Sequence, residues 1–486
     1  MNLQDVLNRG NLGKSRKTKI IATIGPASRD EAMIEKLIKT GVNVFRLNFS
    51  HGTHDEHLEN LNRIRKISSN LNIDVAILQD LAGPKIRITP VDDTKVLLKD
   101  GEVVRLALSS GQISNNELIY VEGVDPTKSV KSKERVFLAD GIIELVVESV
   151  SKTEVSCKII KGGKLRSRIG ISFPDSEIDL PAATEKDLID FDWALKNEID
   201  FVALSFVNSK KDILTLKDRM KDASFKPGII AKIERKVALQ NIKELVQVSD
   251  GLMVARGDLG LELLPEQVPL VQRELIELAN HAGIPVIVAT QMLSSMVTAI
   301  RPTRAEVSDV ANAVMAGADA VMLSEESAIG DHPIKCVEFL DRIAKESERS
   351  FAFEEYRFRL RDADRESVPD AIAYAACAAA VKVRAQALIC CTETGNSARL
   401  LAKYRPQQPL YGAAVKDAGR RKMCLFWGVT PIKYPPTKSH YDEIDAALSA
   451  VKEREGLGAG SLAVVTSGLA VGKPGSTSVI EIRAIS

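Results

Sequence analysis

The sequence is short of aromatics, which make up 5% of its 486 residues, and it has no excess of either charge: 66 Lys+Arg stand against 65 Asp+Glu, a net +1. That balance leaves no basic field to hold a nucleic acid and no acidic tail, so the expected partner is a small molecule. The 6 cysteines show no CxxC or other metal spacing, and adjacent Cys390 and Cys391 would fall on opposite faces of a strand. Reduced thiols in a cytoplasm are expected. The longest apolar run, Ala371–Val381, is far below the roughly 20 residues that cross a bilayer. Met1–Lys19 is polar and mildly basic, without the apolar core of a signal peptide, so neither a membrane span nor secretion is expected. Hydrophobic residues at 45% with ordinary Gly and Pro describe a globular α/β chain, long enough at roughly 100–200 residues per domain for about three domains.

From Lys19 to about Ser350, short β-branched runs alternate with amphipathic helical stretches, the pattern of repeated βα units. Strands are predicted at Ile20–Ile24, Val42–Leu47, Val75–Leu78, Ile199–Leu204, Gly228–Ile233, Gly251–Val254, Pro285–Ala289 and Ala318–Leu323. Their number suits a closed (β/α)₈ TIM barrel, with an open doubly wound sheet as the alternative. Between Pro84 and about Asp179 the helical pattern gives way to alternating runs such as Val103–Leu108, Ile142–Val147 and Val155–Ile160, an all-β insertion placed to act as a lid. A charged stretch, Phe353–Glu366, precedes a second α/β pattern. The expected division is a barrel from 1–84 and 179–350, a small β-barrel lid from 85–178 and a C-terminal α/β domain from 351–486.

Chemically useful side chains fall at strand ends, which in such a barrel converge on one mouth. Arg46 follows strand two with Asn48, Ser50 and His51, and can fork onto a phosphoryl group. Asp80 ends strand three ahead of Gly83-Pro84-Lys85-Ile86-Arg87. Lys232 and Glu234 close strand five, pointing the same way off an extended chain, and Ala255-Arg256-Gly257-Asp258-Leu259-Gly260 follows strand six. Glu234 and Asp258 offer hard carboxylate oxygens to Mg²⁺, with Mn²⁺ left open. Gly257 is expected to let backbone N–H groups approach a carboxylate. His51, His54 and His57 are spaced for a metal, but a loop position and an exposed helix start argue against chelation.

These motifs, RLNFSHG at Arg46–Gly52, GPKIR at Gly83–Arg87, KIE at Lys232–Glu234, ARGDLG at Ala255–Gly260, ATQML at Ala289–Leu293 and RPTRAEVSDVANA at Arg301–Ala313, resemble pyruvate kinase in kind and order over nearly the whole chain. The resemblance implies phosphoryl transfer from phosphoenolpyruvate to ADP, giving pyruvate and ATP in glycolysis. It implies Mg²⁺ on Glu234 and Asp258, the phosphoryl group held by Arg46 and Lys232, and the substrate carboxylate on Gly257 and Asp258. Thr290 would serve proton delivery to the enolate carbon, and His51, Arg87 and the lid's Asp140 would lie toward the nucleotide. A homotetramer is also implied.

Two departures bear on cofactors. Many members bind K⁺ near the equivalents of Asn48, Ser50 and Asp80 and carry Glu where this chain has Lys85; the sequence here resembles the branch that does not need K⁺. Lys85, five residues beyond Asp80 across a Gly-Pro turn, is expected to fold its ammonium back toward that region. The lid reads Arg168-Ile169-Gly170 in place of the frequent Lys-Lys-Gly. In the C-terminal domain, Thr392, Thr394 and Ser397 lie in a strand-to-helix loop that the family uses for the phosphate of an allosteric effector, here with Asn396 in place of a frequent Arg. The same loop also reads as an ordinary helix cap. Two readings compete with the kinase: an aldolase-type barrel using Glu234 and Asp258 on pyruvate enolate, with no need of Arg46, lid or ADP, and a regulatory binding protein without catalysis.

Overall fold

A computed structural model describes residues 16–91, 96–176, 178, 180–353, 355–356, 367–469 and 475–485. Residues 1–15 of the polar start, the Asp179 boundary and most of the charged stretch before Glu366 lie outside the described residues.

Eight parallel strands form a closed barrel: Lys19–Thr23, Val44–Asn48, Ala76–Asp80, Phe201–Leu204, Gly228–Ile233, Gly251–Ala255, Val286–Ala289 and Ala320–Leu323. Closure is made where the first strand pairs the last, Lys19 with Ala320 through Ala22 with Leu323. Residues on one face of these strands, among them Ile20, Phe45, Ile77 and Val202, bury against the surrounding helices. Their alternates, Ile21, Val44, Leu78, Ile230, Met253 and Met322, fill the interior, so the barrel is a packed core. Thr53, Thr184 and Thr303 start helices with their hydroxyls on the backbone N–H three residues on, and Glu56, Asp187 and Glu306 answer in capping boxes.

The insertion leaves after the third strand and is almost wholly β, with one short helix at Pro126–Ser129 that no apolar period announced. Its main sheet is seven-stranded. Hydrogen bonds from Ile88 N–H to Ile169 O and Ile171 N–H to Ile86 O join the sheet's two edges, so the unit is barrel-like. A separate core holds it, centred on Val104, Leu106, Val136, Leu145 and Ile159.

The C-terminal sheet has five strands: Ala387–Cys391, Leu410–Ala413, Val429–Ile432, Leu462–Gly468 and, antiparallel at the edge, Thr477–Ala484. Val429–Ile432 carries Pro431 inside it, a residue that argues against a strand in sequence but is tolerated here because the strand lies at the sheet edge, where a missing N–H costs little. Cys390 and Cys391 do face opposite cores, and all six cysteines are buried and free. This domain docks on the barrel at the starts of the strands. Arg405, fully buried, pairs Asp319 at 2.9 Å and donates to Gly317 O; Lys19 donates to Val429 O at 2.6 Å; Arg421 meets Asp200 at 2.7 Å. The opposite end of the barrel is left to the lid. Among the described residues no helix is long and apolar enough to cross a membrane.

Candidate active site

The ends of the second, third and fifth barrel strands bring Arg46, Asp80, Lys232 and Glu234 into one buried network. Asp80 is its hub: Arg46 Nε donates to Asp80 Oδ2 at 2.7 Å, and Lys232 Nζ lies 3.1 Å from Oδ1. Lys232 also lies 3.0 Å from Glu234 Oε1 and donates to Ser205 Oγ at 2.6 Å. Its ammonium is thus engaged on three sides. Arg46 donates once more, to Thr23 Oγ1 at 3.1 Å, which leaves guanidinium N–H groups for a ligand.

Burial alone would lower the Lys232 pKa, but the carboxylates of Asp80 and Glu234 outweigh it and the net shift is upward. The lysine is therefore a fixed cation, not a base. Glu234 is shifted up, by burial first and by Asp258 as well, against the pull of Lys232 and an N–H from Phe206 at 2.7 Å. Asp80 is held low, because Lys232 and Arg46 override its burial.

Glu234 and Asp258 line one cleft of about 510 Å³ between the mouth and the insertion, whose other walls include Lys85, Asp140, Ser172 and Phe206. The cleft places the insertion as expected of a lid. The turn into it is built by Gly83, at φ +67, where a Cβ would stand 2.8 Å from the Ser205 and Phe206 side chains, the two residues that hold Lys232 and Glu234. Asp187, while capping its own helix, accepts from the Gly83 N–H at 3.1 Å.

Thr290 directly follows the seventh strand, with φ +64, a left-handed conformation costly for a β-branched residue. Its Oγ1 accepts from Gly257 N–H at 2.8 Å and donates to Ala289 O at 2.6 Å. The Gly257 N–H is thereby committed to Thr290, and the expectation that it reaches toward a substrate carboxylate is corrected to that extent. Gly257 also keeps ordinary backbone angles within the helix Arg256–Glu262, with room for a Cβ at 3.6 Å from Thr290. Arg256, which the sequence reading passed over as part of a glycine string, is buried and donates to Thr290 O at 2.6 Å while pairing Asp309 of the RPTRAEVSDVANA motif.

Other expectations are displaced. Lys85 does not fold back on Asp80: its ammonium lies 3.4 Å from Asp140, and Asp80 is paired instead with Arg46 and Lys232. Asn48 Oδ1 accepts from Ser50 N–H at 3.2 Å beside Asp80, and Ser50 is exposed. Arg87 donates to Arg168 O at 2.9 Å within the lid, and His51 is exposed on the mouth's rim. His57 is no exposed helix residue: it is buried, stacked on Phe49 at 4.0 Å, with Nε2 on His51 O, and His54 pairs Asp190 at 2.7 Å. In the C-terminal loop, Thr392 Oγ1 accepts from Gly395 N–H at 3.1 Å, Ser397 Oγ meets Thr477 Oγ1 at 2.5 Å, and Thr394 is exposed.

Comparison with known proteins agrees with this geometry. The family model "Pyruvate kinase, barrel domain" matches residues 15–337, and "Pyruvate kinase, alpha/beta domain" matches residues 370–483. The pyruvate kinase of Staphylococcus aureus strain USA300 is 38% identical over 475 residues, 97% of this chain and 80% of the relative. That of Staphylococcus epidermidis strain RP62A is 37% identical over the same shares. With a barrel, a lid-bearing mouth and both family domains in register, the chain belongs to the pyruvate kinase family and is a phosphotransferase acting between phosphoenolpyruvate and ADP.

Proposed function

We propose that the reaction runs in the cleft between barrel mouth and lid, with a divalent cation on Glu234 and Asp258 and without K⁺. The observation that carries this reading is the arrangement of charge: Asp80 is paired with Arg46 and Lys232, while Glu234 is pushed up by burial and by Asp258 in a shared cleft, so two neighbouring carboxylates stand where a cation can be held. An anionic substrate needs added positive charge there. Two carboxylates that repel each other in one cleft, both hard-oxygen donors, fit Mg²⁺ or Mn²⁺. Bound there, the cation supplies Lewis-acid charge for the phosphoryl and enolate oxygens.

The chain's own residues do the rest. Arg46 orients the phosphoryl group with the N–H groups that Asp80 and Thr23 leave free. Lys232, kept protonated by its carboxylate neighbours, moves one donor from a carboxylate to the transferring group and stabilises charge that grows in the transition state. Thr290, wedged by Arg256 and Gly257, holds the hydroxyl that relays a proton to the enolate carbon. Asp258 borders the substrate, with Gly257 beside it. His51, Arg87 and Asp140 face the nucleotide side, and Lys85 brings a tethered ammonium to the same cleft beside Asp140, where it supplies the positive charge that a monovalent cation would otherwise add.

The domains divide as 1–84 with 179–350, 85–178, and 351–486, in a cytoplasmic homotetramer. A phosphorylated metabolite at Thr392, Thr394 and Ser397 regulates it. Mixing the protein with phosphoenolpyruvate, ADP and Mg²⁺ and measuring pyruvate tests the reaction. Equal rates in K⁺ and in a tetraalkylammonium salt at matched ionic strength, with K⁺ dependence appearing in Lys85→Glu, are expected. Activation of the unaltered enzyme by K⁺ on the order of tenfold, about 1.4 kcal/mol of barrier, overturns the K⁺ reading alone.

A further inference from the structure

A second cavity, about 870 Å³, opens at the other end of the barrel, between the strand starts and the C-terminal domain. Its walls carry two satisfied pairs, Lys217 with Asp250 at 3.1 Å and Lys403 with Asp370 at 3.1 Å. Three further cations line it. Arg399 donates only to Asn396 Oδ1 and Gly283 O, Lys422 to Lys226 O at 2.7 Å, and Lys226 to Lys221 O at 2.6 Å. Among the described residues none of these three has a carboxylate in ion-pair contact. In a chain whose net charge is +1, three uncompensated cations around one crevice are a local excess. Burial depresses the pKa of both Arg399 and Lys422 and outweighs the opposing pull of Asp250 on each, of Asp370 on Arg399 and of Asp200 on Lys422.

We propose that this crevice binds a small molecule carrying two or more phosphoryl groups. The cations come from three separate pieces of chain, the helix Asn396–Lys403, the helix Asp417–Met423 and the segment before Gly228, so they can grip an anion from several sides. Exposed Thr394 and half-buried Asn396 add polar groups to the wall. The site needs neither Thr392 nor Ser397, whose hydroxyls are bonded elsewhere, and so it stands apart from the effector-loop reading. It also lies away from the catalytic network: Gly228 in its floor starts the strand whose far end carries Lys232.

The test is calorimetric titration of the full chain with tripolyphosphate at low salt, without divalent cations. One saturable site is expected, weakened at least about tenfold in Lys226→Gln/Lys422→Gln and by a smaller factor in Lys422→Gln alone, with folding checked by thermal melting. Lys232→Met, Thr392→Val and Ser397→Ala are expected to keep the site that depends on Lys226 and Lys422, since none of the three lines the crevice. Absence of saturable binding, or unchanged affinity in the folded double variant, overturns the proposal. Loss in Ser397→Ala with retention in the double variant also overturns it, and leaves the effector loop as the anion site.

Discussion

Replacing Lys232 by Met separates what the lysine does for the reaction from what it does for the fold. The side chain is only 12% exposed and is pinned by Ser205, Asp80 and Glu234. Losing one preorganised charge aimed at a transition state costs about 10²–10³-fold in turnover. The structural cost falls unevenly on the two carboxylates. Asp80 keeps Arg46, but Glu234 keeps only the Phe206 N–H, and stranding a buried charge costs about 3–5 kcal/mol. Glu234 has a way to limit that loss, because its pKa is already raised by burial and by Asp258. Without Lys232 it rises further, and the carboxyl takes up a proton.

The sign follows from linkage. A carboxyl whose folded pKa lies above its unfolded value binds more protons when folded, so its contribution to stability falls as pH rises from about 4.5 through the folded pKa. Lys232→Met should therefore regain melting temperature relative to the unaltered enzyme as pH is lowered from about 8 to about 5. Lys232→Met/Glu234→Gln should lose that pH dependence and stay inactive. Pyruvate release and thermal melting over the pH range provide the readouts. A folded Lys232→Met enzyme with near-normal turnover refutes the catalytic assignment, and a pH-independent melting difference refutes the electrostatic account of the network.

Asp258→Asn and Glu234→Gln should each keep the fold and lose at least about 10²-fold in turnover, and chelating the divalent cation should weaken phosphoenolpyruvate binding in calorimetry, less so in the Asp258→Asn protein. Arg256→Lys, which loses the planar fork between Thr290 O and Asp309, should lower kcat with little change in the Michaelis constant for ADP and slow solvent proton exchange into the pyruvate methyl; unchanged exchange would show that Arg256 only packs. In the lid, Arg135 holds the Asp175 pKa down to about 2, so Asp175→Asn should cost about 1–2 kcal/mol at neutral pH after allowing for its partial exposure. That contribution is present above about pH 4 and is lost as pH falls toward 2, and melting curves of the two proteins should converge there.

Strand ends were the most legible feature of the sequence, because β-branched runs mark barrel strands and polar residues at their ends have one place to go. Arg46, Asp80, Lys232 and Glu234 were therefore found from order and spacing. Side-chain trajectories were not legible. Lys85 has a stem long enough for either Asp80 or Asp140, and the choice depends on where the lid folds, a contact 55 residues away. Ser205 and Phe206 hold Lys232 and Glu234 with a hydroxyl and a backbone N–H, features that carry no motif. Arg256 was hidden for another reason: its role depends on Asp309 and on the strained Thr290, and neither is near it in sequence.

The same carboxylates that keep Lys232 charged also compete with the substrate for it. The ammonium donates to Ser205 Oγ and lies within ion-pair distance of Asp80 and Glu234, so a phosphoryl oxygen approaching it competes with all three. Ser205 is held in place by its own bond to Leu81 O at 2.6 Å, and Asp80 is fixed by Arg46. Glu234 is the partner with the least reason to stay, since Asp258 repels it and burial disfavours its charge. The network is therefore biased to open at Glu234. On the proposed reading that is the group whose oxygens a divalent cation would claim, so cation binding would be coupled through one side chain to release of a lysine donor toward the phosphoryl group.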